Sequence, residues 1–85
     1  MKKDTGAIEF DVPASYRICI SGVLDVGWSD RLEGMEIRAA AAPDGGPMTV
    51  LTGELADQVA LWGVLQGLHR RGFTLLSVEK MDYGL

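Results

Sequence analysis

One stretch decides the fold, and it reads Gly53-Glu-Leu-Ala-Asp-Gln-Val-Ala-Leu-Trp-Gly-Val-Leu-Gln-Gly-Leu-His-Arg-Arg-Gly72. Its apolar residues, Trp62 among them, recur every three or four positions, which is typical of one face of a helix. Glu54 and Asp57 stand at its start and three basic residues at its end, as the helix dipole favours. Gly72 follows, where a left-handed residue commonly ends a helix. The stretch therefore predicts a helix over about residues 55–71.

Two glycines lie inside this predicted helix against its propensity. Gly63 and Gly67 each cost about 0.5–1 kcal/mol relative to alanine, and a spacing of four places them on one side. Two explanations stay open: close packing of the helix backbone on a sheet, or a contact between two helices across a dimer. A membrane dimerisation motif is excluded because the segment is too short and too polar to span a bilayer.

Alternating apolar residues predict four strands around the helix. These strands are expected at 16–24, 35–42, 48–53 and 73–81. The segment Pro43-Asp-Gly-Gly-Pro47 predicts a turn that joins the second and third strands as a hairpin. A shorter alternation at 7–12 ends at Pro13 and predicts a further N-terminal strand, an arm that docks on a partner, or an extended tail.

The order of these elements predicts an α+β fold of the form β-β-β-α-β. We expect a tail at 1–13 and a single domain at 14–85, with the first three strands as an antiparallel meander. A helix about as long as a strand returns the chain parallel to the third strand. The expected result is a mixed sheet of order 3-2-1-4 with the helix on one face.

The predicted helix is too narrow for the predicted sheet. Four strands at ~4.8 Å spacing make a sheet about 19 Å wide, whereas one helix covers roughly 10 Å. Apolar residues such as Val23 and Leu75 would remain exposed, and a soluble monomer rarely leaves a large apolar patch in water. We therefore expect a two-fold homodimer.

Composition excludes several classes of function. The net charge of −4 disfavours nucleic acids and anionic membranes as partners.

The single cysteine, Cys19, permits no intramolecular disulfide, and its mid-strand position without a neighbouring base indicates a small core residue. The single histidine, His69, is explained by the helix end. The acidic residues of the loop at 25–34 lack the spacing of a calcium loop, so we expect neither a metal nor a cofactor.

The loop at 25–34 contains the least expected residue of the chain. Trp28 stands between a glycine and a Ser-Asp pair, where no strand pattern requires it. It is either a lid over the edge of the core or an anchor for an interface or a ligand. Ser29 or Asp30 is suited to cap a single helical turn. The candidate interface or ligand anchors are Trp28, Asp30, Gly63, Gly67 and Leu75.

The N-terminal segment has no apolar run behind its charges. Lys2 and Lys3 are followed by polar residues rather than by an apolar core segment. We therefore expect neither a signal peptide nor a membrane span, and we expect a cytoplasmic location.

Three motifs of the chain resemble those of small uncharacterised bacterial proteins. The motifs are Ile18-x-Ile20-x-Gly22-x-Leu24-Asp25 followed by Trp28-Ser29-Asp30, Leu51-x-Gly53-x-Leu55-x-Asp57-Gln58-x-Ala60-Leu61-x-Gly63-x-Leu65, and Leu75-Leu76-Ser77-Val78. The likeness covers about residues 16–80. Those proteins have a histidine where this chain has Trp62, so the resemblance implies no role for a histidine there. It also implies no assigned activity.

These features predict a non-catalytic, homodimeric interaction or accessory module. The rival interpretation is a small-ligand-binding regulator or a minor enzyme, with a site formed by the loop at 25–34 and the start of the helix. A third interpretation is assembly with another protein.

Overall fold

The computed structural model describes residues 13–81, and every structural statement below refers to them. They form four strands and one α-helix in the predicted order, so the α+β class is confirmed. The elements are β1 (Ala14–Ser21), a 3₁₀ helix (Val26–Leu32), β2 (Glu36–Ala41), β3 (Pro47–Leu55), α1 (Gln58–Arg70) and β4 (Thr74–Met81). The predicted strand at 7–12 lies outside the described residues.

The sheet has the order β2-β3-β1-β4, and every neighbouring pair is antiparallel. The expected place of β4 beside β1, parallel in direction to β3, is confirmed. The expected order 3-2-1-4 is wrong, because β1 pairs with β3 instead of β2. The first three strands are therefore not a meander, and the sheet is antiparallel throughout instead of mixed.

Burial explains why β1 takes a central position. Tyr16, Ile18 and Ile20 of β1 are buried, whereas Ile37 is the only buried residue of β2. A strand with more apolar surface gains more from a neighbour on both sides, so the more polar β2 lies at the edge. The connection 22–35 is long enough to pass β3, and its 3₁₀ helix supplies Leu32 to the core.

A buried hydroxyl holds the start of this connection against β3. Thr49 is 1% exposed; its Oγ1 donates to the carbonyl of Gly22 at 2.7 Å and accepts from the backbone N–H of Leu24 at 3.1 Å. Both hydrogen-bonding roles of the hydroxyl are satisfied, as burial requires. Thr49 thus connects β3 to the first residues after β1.

The helix ends close to where its sequence indicates but begins later, at Gln58 instead of about residue 55. The carboxylate of Asp57 caps α1 by accepting from the backbone N–H of Ala60 at 2.8 Å, and Gly72 has a φ of +86° just after its last turn. The role expected for Glu54 is wrong, because β3 continues to Leu55 and includes it.

The close backbone approach expected at Gly63 occurs at Gly53 instead. A Cβ on Gly53 of β3 would lie 3.2 Å from the Cα of Met35, whereas a Cβ on Gly63 would meet nothing within 4 Å. Close packing of Gly63 on the sheet is therefore wrong, while its contact in a dimer stays a prediction. Gly67 is looser than expected too, since its Cβ would meet only the side chain of Leu32 at 3.9 Å. Gly53 is the position where two backbone segments approach.

Candidate functional site

An open apolar groove of about 360 Å³ runs between α1 and β4. Trp62 and Leu65 of α1, Leu75 of β4, Phe73 and Ile20 are among the residues that line this α1–β4 groove. A second hollow of about 380 Å³ shares Trp62 and Leu65 and extends along α1 to Val59. The two hollows therefore form one continuous apolar surface.

The helix turn explains why this surface stays open. Successive residues of α1 are about 100° apart at 3.6 residues per turn. Val64 and Leu68 point into the core and are 2% and 3% exposed. Trp62 lies roughly 160° from Val64 and is 61% exposed. The inclusion of Trp62 in the core stripe was wrong, because only part of that stripe reaches the sheet.

Strand β4 forms the other side of the groove and is exposed along almost its whole length. Every residue from Thr74 to Lys80 is exposed, including Leu75 at 48% and Val78 at 38%. Pairing with β1 places Val78 opposite Ile18 and Leu75 opposite Ile20, so both lie on the face that carries α1. The expectation that Leu75 stays exposed is confirmed.

The opposite face of the sheet is mixed and carries an ion pair. Arg17 of β1 donates to Glu79 of β4 at 2.6 Å. This hydrogen bond and the charge of Glu79 raise the pKa of Arg17 above its usual value, so the guanidinium stays charged. Cys19 is half-buried between Val50 and Ser77. Across residues 13–81, no three histidine, cysteine or acidic side chains come together as a metal site would need.

Trp28 forms a separate cluster at the other flank of α1. The indole is half-buried against the core, with the guanidinium of Arg71 at 3.9 Å and that of Arg31 at 4.8 Å from its ring centre. Such cation–π contacts are worth about 0.5–1 kcal/mol each at exposed sites. Trp28 thus packs over the edge of the core, as a lid would.

The residues around Trp28 hold this lid in place. Asp25 caps the 3₁₀ helix by accepting from the N–H of Gly27 at 3.0 Å, so neither Ser29 nor Asp30 is the cap. Ser29 instead donates from Oγ to the carbonyl of Met35 at 2.8 Å, and Asp30 is exposed. The 3₁₀ helix is therefore held at its start by Asp25 and in its middle by Ser29.

The structure does not bring the five candidate anchors together: Asp30 is exposed on the 3₁₀ helix, and a Cβ on Gly63 would meet nothing within 4 Å. Leu75 borders the α1–β4 groove, whereas Trp28 packs near Gly67 at the opposite flank of α1. The expected site between the loop at 25–34 and the helix start is not formed, because Asp57 caps the other end of a helix roughly 20 Å long. The sequence analysis did not name Trp62 among its candidate anchors, although Trp62 lines the groove.

Together, the fold and its open groove define a small α+β domain that exposes an apolar groove between its helix and an edge strand. The model of the DUF8691 family, a domain of unknown function, matches residues 15–79, so the chain belongs to this family. No curated protein and no solved structure matches the chain. Within residues 13–81, α1 is neither long nor apolar enough to cross a membrane.

Proposed function

We propose that the chain is a non-catalytic protein-interaction module that works as a homodimer in the cytoplasm. The observation that carries the proposal is the concentration of exposed apolar side chains around the α1–β4 groove. Val59 and Trp62 of α1 are 70% and 61% exposed, Leu75 of β4 borders the same groove, and Val78 is exposed on the same face of β4. Contiguous apolar surface of this kind marks interaction sites on soluble proteins.

The energy available from this surface supports association. Covering the exposed parts of these four side chains is worth about 5–8 kcal/mol per copy, at ~25 cal/mol/Å² for the indole and ~1.5–3 kcal/mol for a fully buried aliphatic side chain. Association costs about 4–15 kcal/mol in lost freedom of motion. Two copies together contribute about 10–16 kcal/mol. A dissociation constant on the order of 1 μM corresponds to about 8 kcal/mol net, which these values give where the cost of association lies toward the lower end of its range.

The polar groups at the groove support binding rather than catalysis. Gln66 and His69 are the polar side chains that line it, and both are exposed. A general base is normally oriented by a third group, as an acid orients a histidine in a triad. No hydrogen bond or ion pair joins His69 to a carboxylate among residues 13–81.

The proposal is tested by a charge placed at the rim of the groove. Trp62→Lys should weaken the dimer at least tenfold in sedimentation equilibrium, because it replaces an exposed apolar side chain of the interface by a hydrated cation. Val26→Lys is the matched control: Val26 is 66% exposed but belongs to the 3₁₀ helix. A native chain that stays monomeric at 100 μM, or equal effects of the two variants, would contradict the proposal.

A second candidate function is the binding of a small apolar ligand in the same groove. A volume of about 360 Å³ falls within the ~300–1,000 Å³ of ordinary ligand sites. A monomer that binds an anilinonaphthalene sulfonate dye at one site and quenches Trp62 fluorescence would favour this candidate. Loss of dye binding as the protein concentration rises through the dimer constant would favour the interface.

A further inference from the structure

Strand β4 is an edge strand with little of the usual protection. Edge strands expose a row of main-chain hydrogen-bonding groups, and proteins guard them by shortness, charge, proline or a bulge. β2, the other edge, is six residues long and carries an ion pair between Glu36 and Arg38 at 3.2 Å. β4 is eight residues long, has no proline, and its first five residues, Thr74 to Val78, carry no charge.

β4 has two of these protective features, a bulge and charged residues, but they lie near its ends and leave the outer edge of its middle unprotected. Its bulge lies beside Leu75, near the N-terminal end of the strand. Its charged residues, Glu79 and Lys80, lie near the other end, and Glu79 is already paired with Arg17 inside the chain. Among residues 13–81, no strand pairs with the outer edge of β4, so its middle, around Ser77 and Val78, is available for pairing.

We propose that β4 pairs antiparallel with β4 of a second copy, about a two-fold axis near Ser77 and Val78. The two sheets then become one sheet of eight strands with a β4–β4 junction at its centre. This inference rests on the homodimer of the proposed function and specifies how its two copies meet.

The groove determines the direction of pairing. A two-fold axis perpendicular to the sheet makes the two β4 strands antiparallel and puts both copies of α1 on the same face. The α1–β4 grooves of the two copies then lie side by side and merge into one trough between the two Trp62 side chains. Parallel pairing about an axis along the strands would put the helices on opposite faces and leave each groove open.

The dimensions of the surface suit a second copy of the chain. β4 is roughly 26 Å long at ~3.3 Å per residue, and the strand with its groove is about 15 Å deep. The flat footprint is therefore roughly 400 Å² per copy, before side-chain relief is counted. Two copies give roughly 800 Å² of flat footprint, below the about 1,200–2,000 Å² that stable interfaces bury in total, so we expect a weak and reversible dimer.

Spin labels on the two edge strands test the pairing. The labels are placed at Ser77→Cys of β4 or at Ala40→Cys of β2, both exposed and on the same face of the sheet. Both variants need a Cys19→Ser background, because Cys19 lies directly opposite Ser77. In the proposed dimer the labelled strands are one strand spacing apart at Ser77, about 5 Å, and seven spacings apart at Ala40, about 34 Å.

The expected result is strong dipolar broadening for the Ser77 label and a distance near 35 Å for the Ala40 label, both lost on dilution to monomer. A dimer with the pattern reversed, or with both labels distant, would overturn β4 pairing while the proposed homodimer stands. A chain that is monomeric at every concentration used would overturn both, since β4 would then be free or covered by its own chain.

Discussion

A methyl group at Gly53 tests the packing of the connection 22–35 against β3. The Cβ of Gly53→Ala would lie 3.2 Å from the Cα of Met35, which is a backbone atom and cannot rotate away. Met35 is fully buried and held on both sides: its N–H donates to the carbonyl of Leu32 at 3.1 Å, and its carbonyl accepts from Ser29 at 2.8 Å. The connection must therefore shift by a few tenths of an ångström.

Two opposed effects determine how much Gly53→Ala changes the free energy of unfolding. Overpacking a core position costs about 1–3 kcal/mol, whereas replacing glycine restricts the unfolded chain and returns about 0.4–1 kcal/mol. We expect Gly53→Ala to lower the free energy of unfolding by about 1–2 kcal/mol. For a chain of 85 residues this lowers the Tm by roughly 4–16 °C.

Gly63→Ala is the matched control, because the same change meets open space in the middle of α1. We expect it to raise the free energy of unfolding by about 0.5–1 kcal/mol. Urea unfolding followed by circular dichroism measures both variants, at one protein concentration because a dimer's stability depends on it. Unchanged stability in Gly53→Ala would refute the close approach, and destabilisation by Gly63→Ala would favour a helix contact across the dimer.

Two further substitutions test how the connection is held. Thr49→Val should lower the free energy of unfolding by about 1–3 kcal/mol, because it leaves the N–H of Leu24 without its acceptor, whereas Thr52→Val on the opposite face should change it by less than ~0.5 kcal/mol. Equal effects in urea unfolding would show that the buried hydroxyl is not required. Trp28→Ala should cost about 2–3 kcal/mol, less than the ~3–5 kcal/mol of a fully buried tryptophan, since the indole is only half-buried. An unchanged Tm would instead favour Trp28 as a binding residue.

Local features of the sequence were sufficient to predict the helix. Asp57 caps α1 and Gly72 follows its end with a positive φ, and both signals act within one turn of the chain. The turn between β2 and β3 was predictable for the same reason, since the N–H of Ala42 bonds to the carbonyl of Gly46 at 2.8 Å.

The partner of β1 depends on contacts that are distant in sequence. The hairpin determines that β2 pairs with β3, but the connection 22–35 permits β1 to lie beside either strand. The burial of Ile18 and Ile20 favours pairing of β1 with β3, because β1 then lies in the centre of the sheet with a strand on each side. Alternation alone does not rank two apolar strands by how much surface each must bury.

The groove was only half predictable. The width argument foresaw that one helix leaves apolar surface exposed, and Leu75 is part of that surface. Trp62 was missed because a periodic stripe wider than the helix–sheet contact gives no sign of where the contact stops. For Gly53 a signal was present, since an isolated glycine in a strand often marks a close backbone approach.

Amide hydrogen exchange at two protein concentrations tests the central claim, a homodimer formed through β4 and the α1–β4 groove. The account predicts that amides of β4 which do not bond to β1 exchange more slowly as the concentration rises from about 0.1 to 100 times the dissociation constant of ~1 μM. Amides at the outer edge of β2 should show no such change. Exchange in β4 that is independent of concentration, or protection that appears in β2 instead, would contradict it.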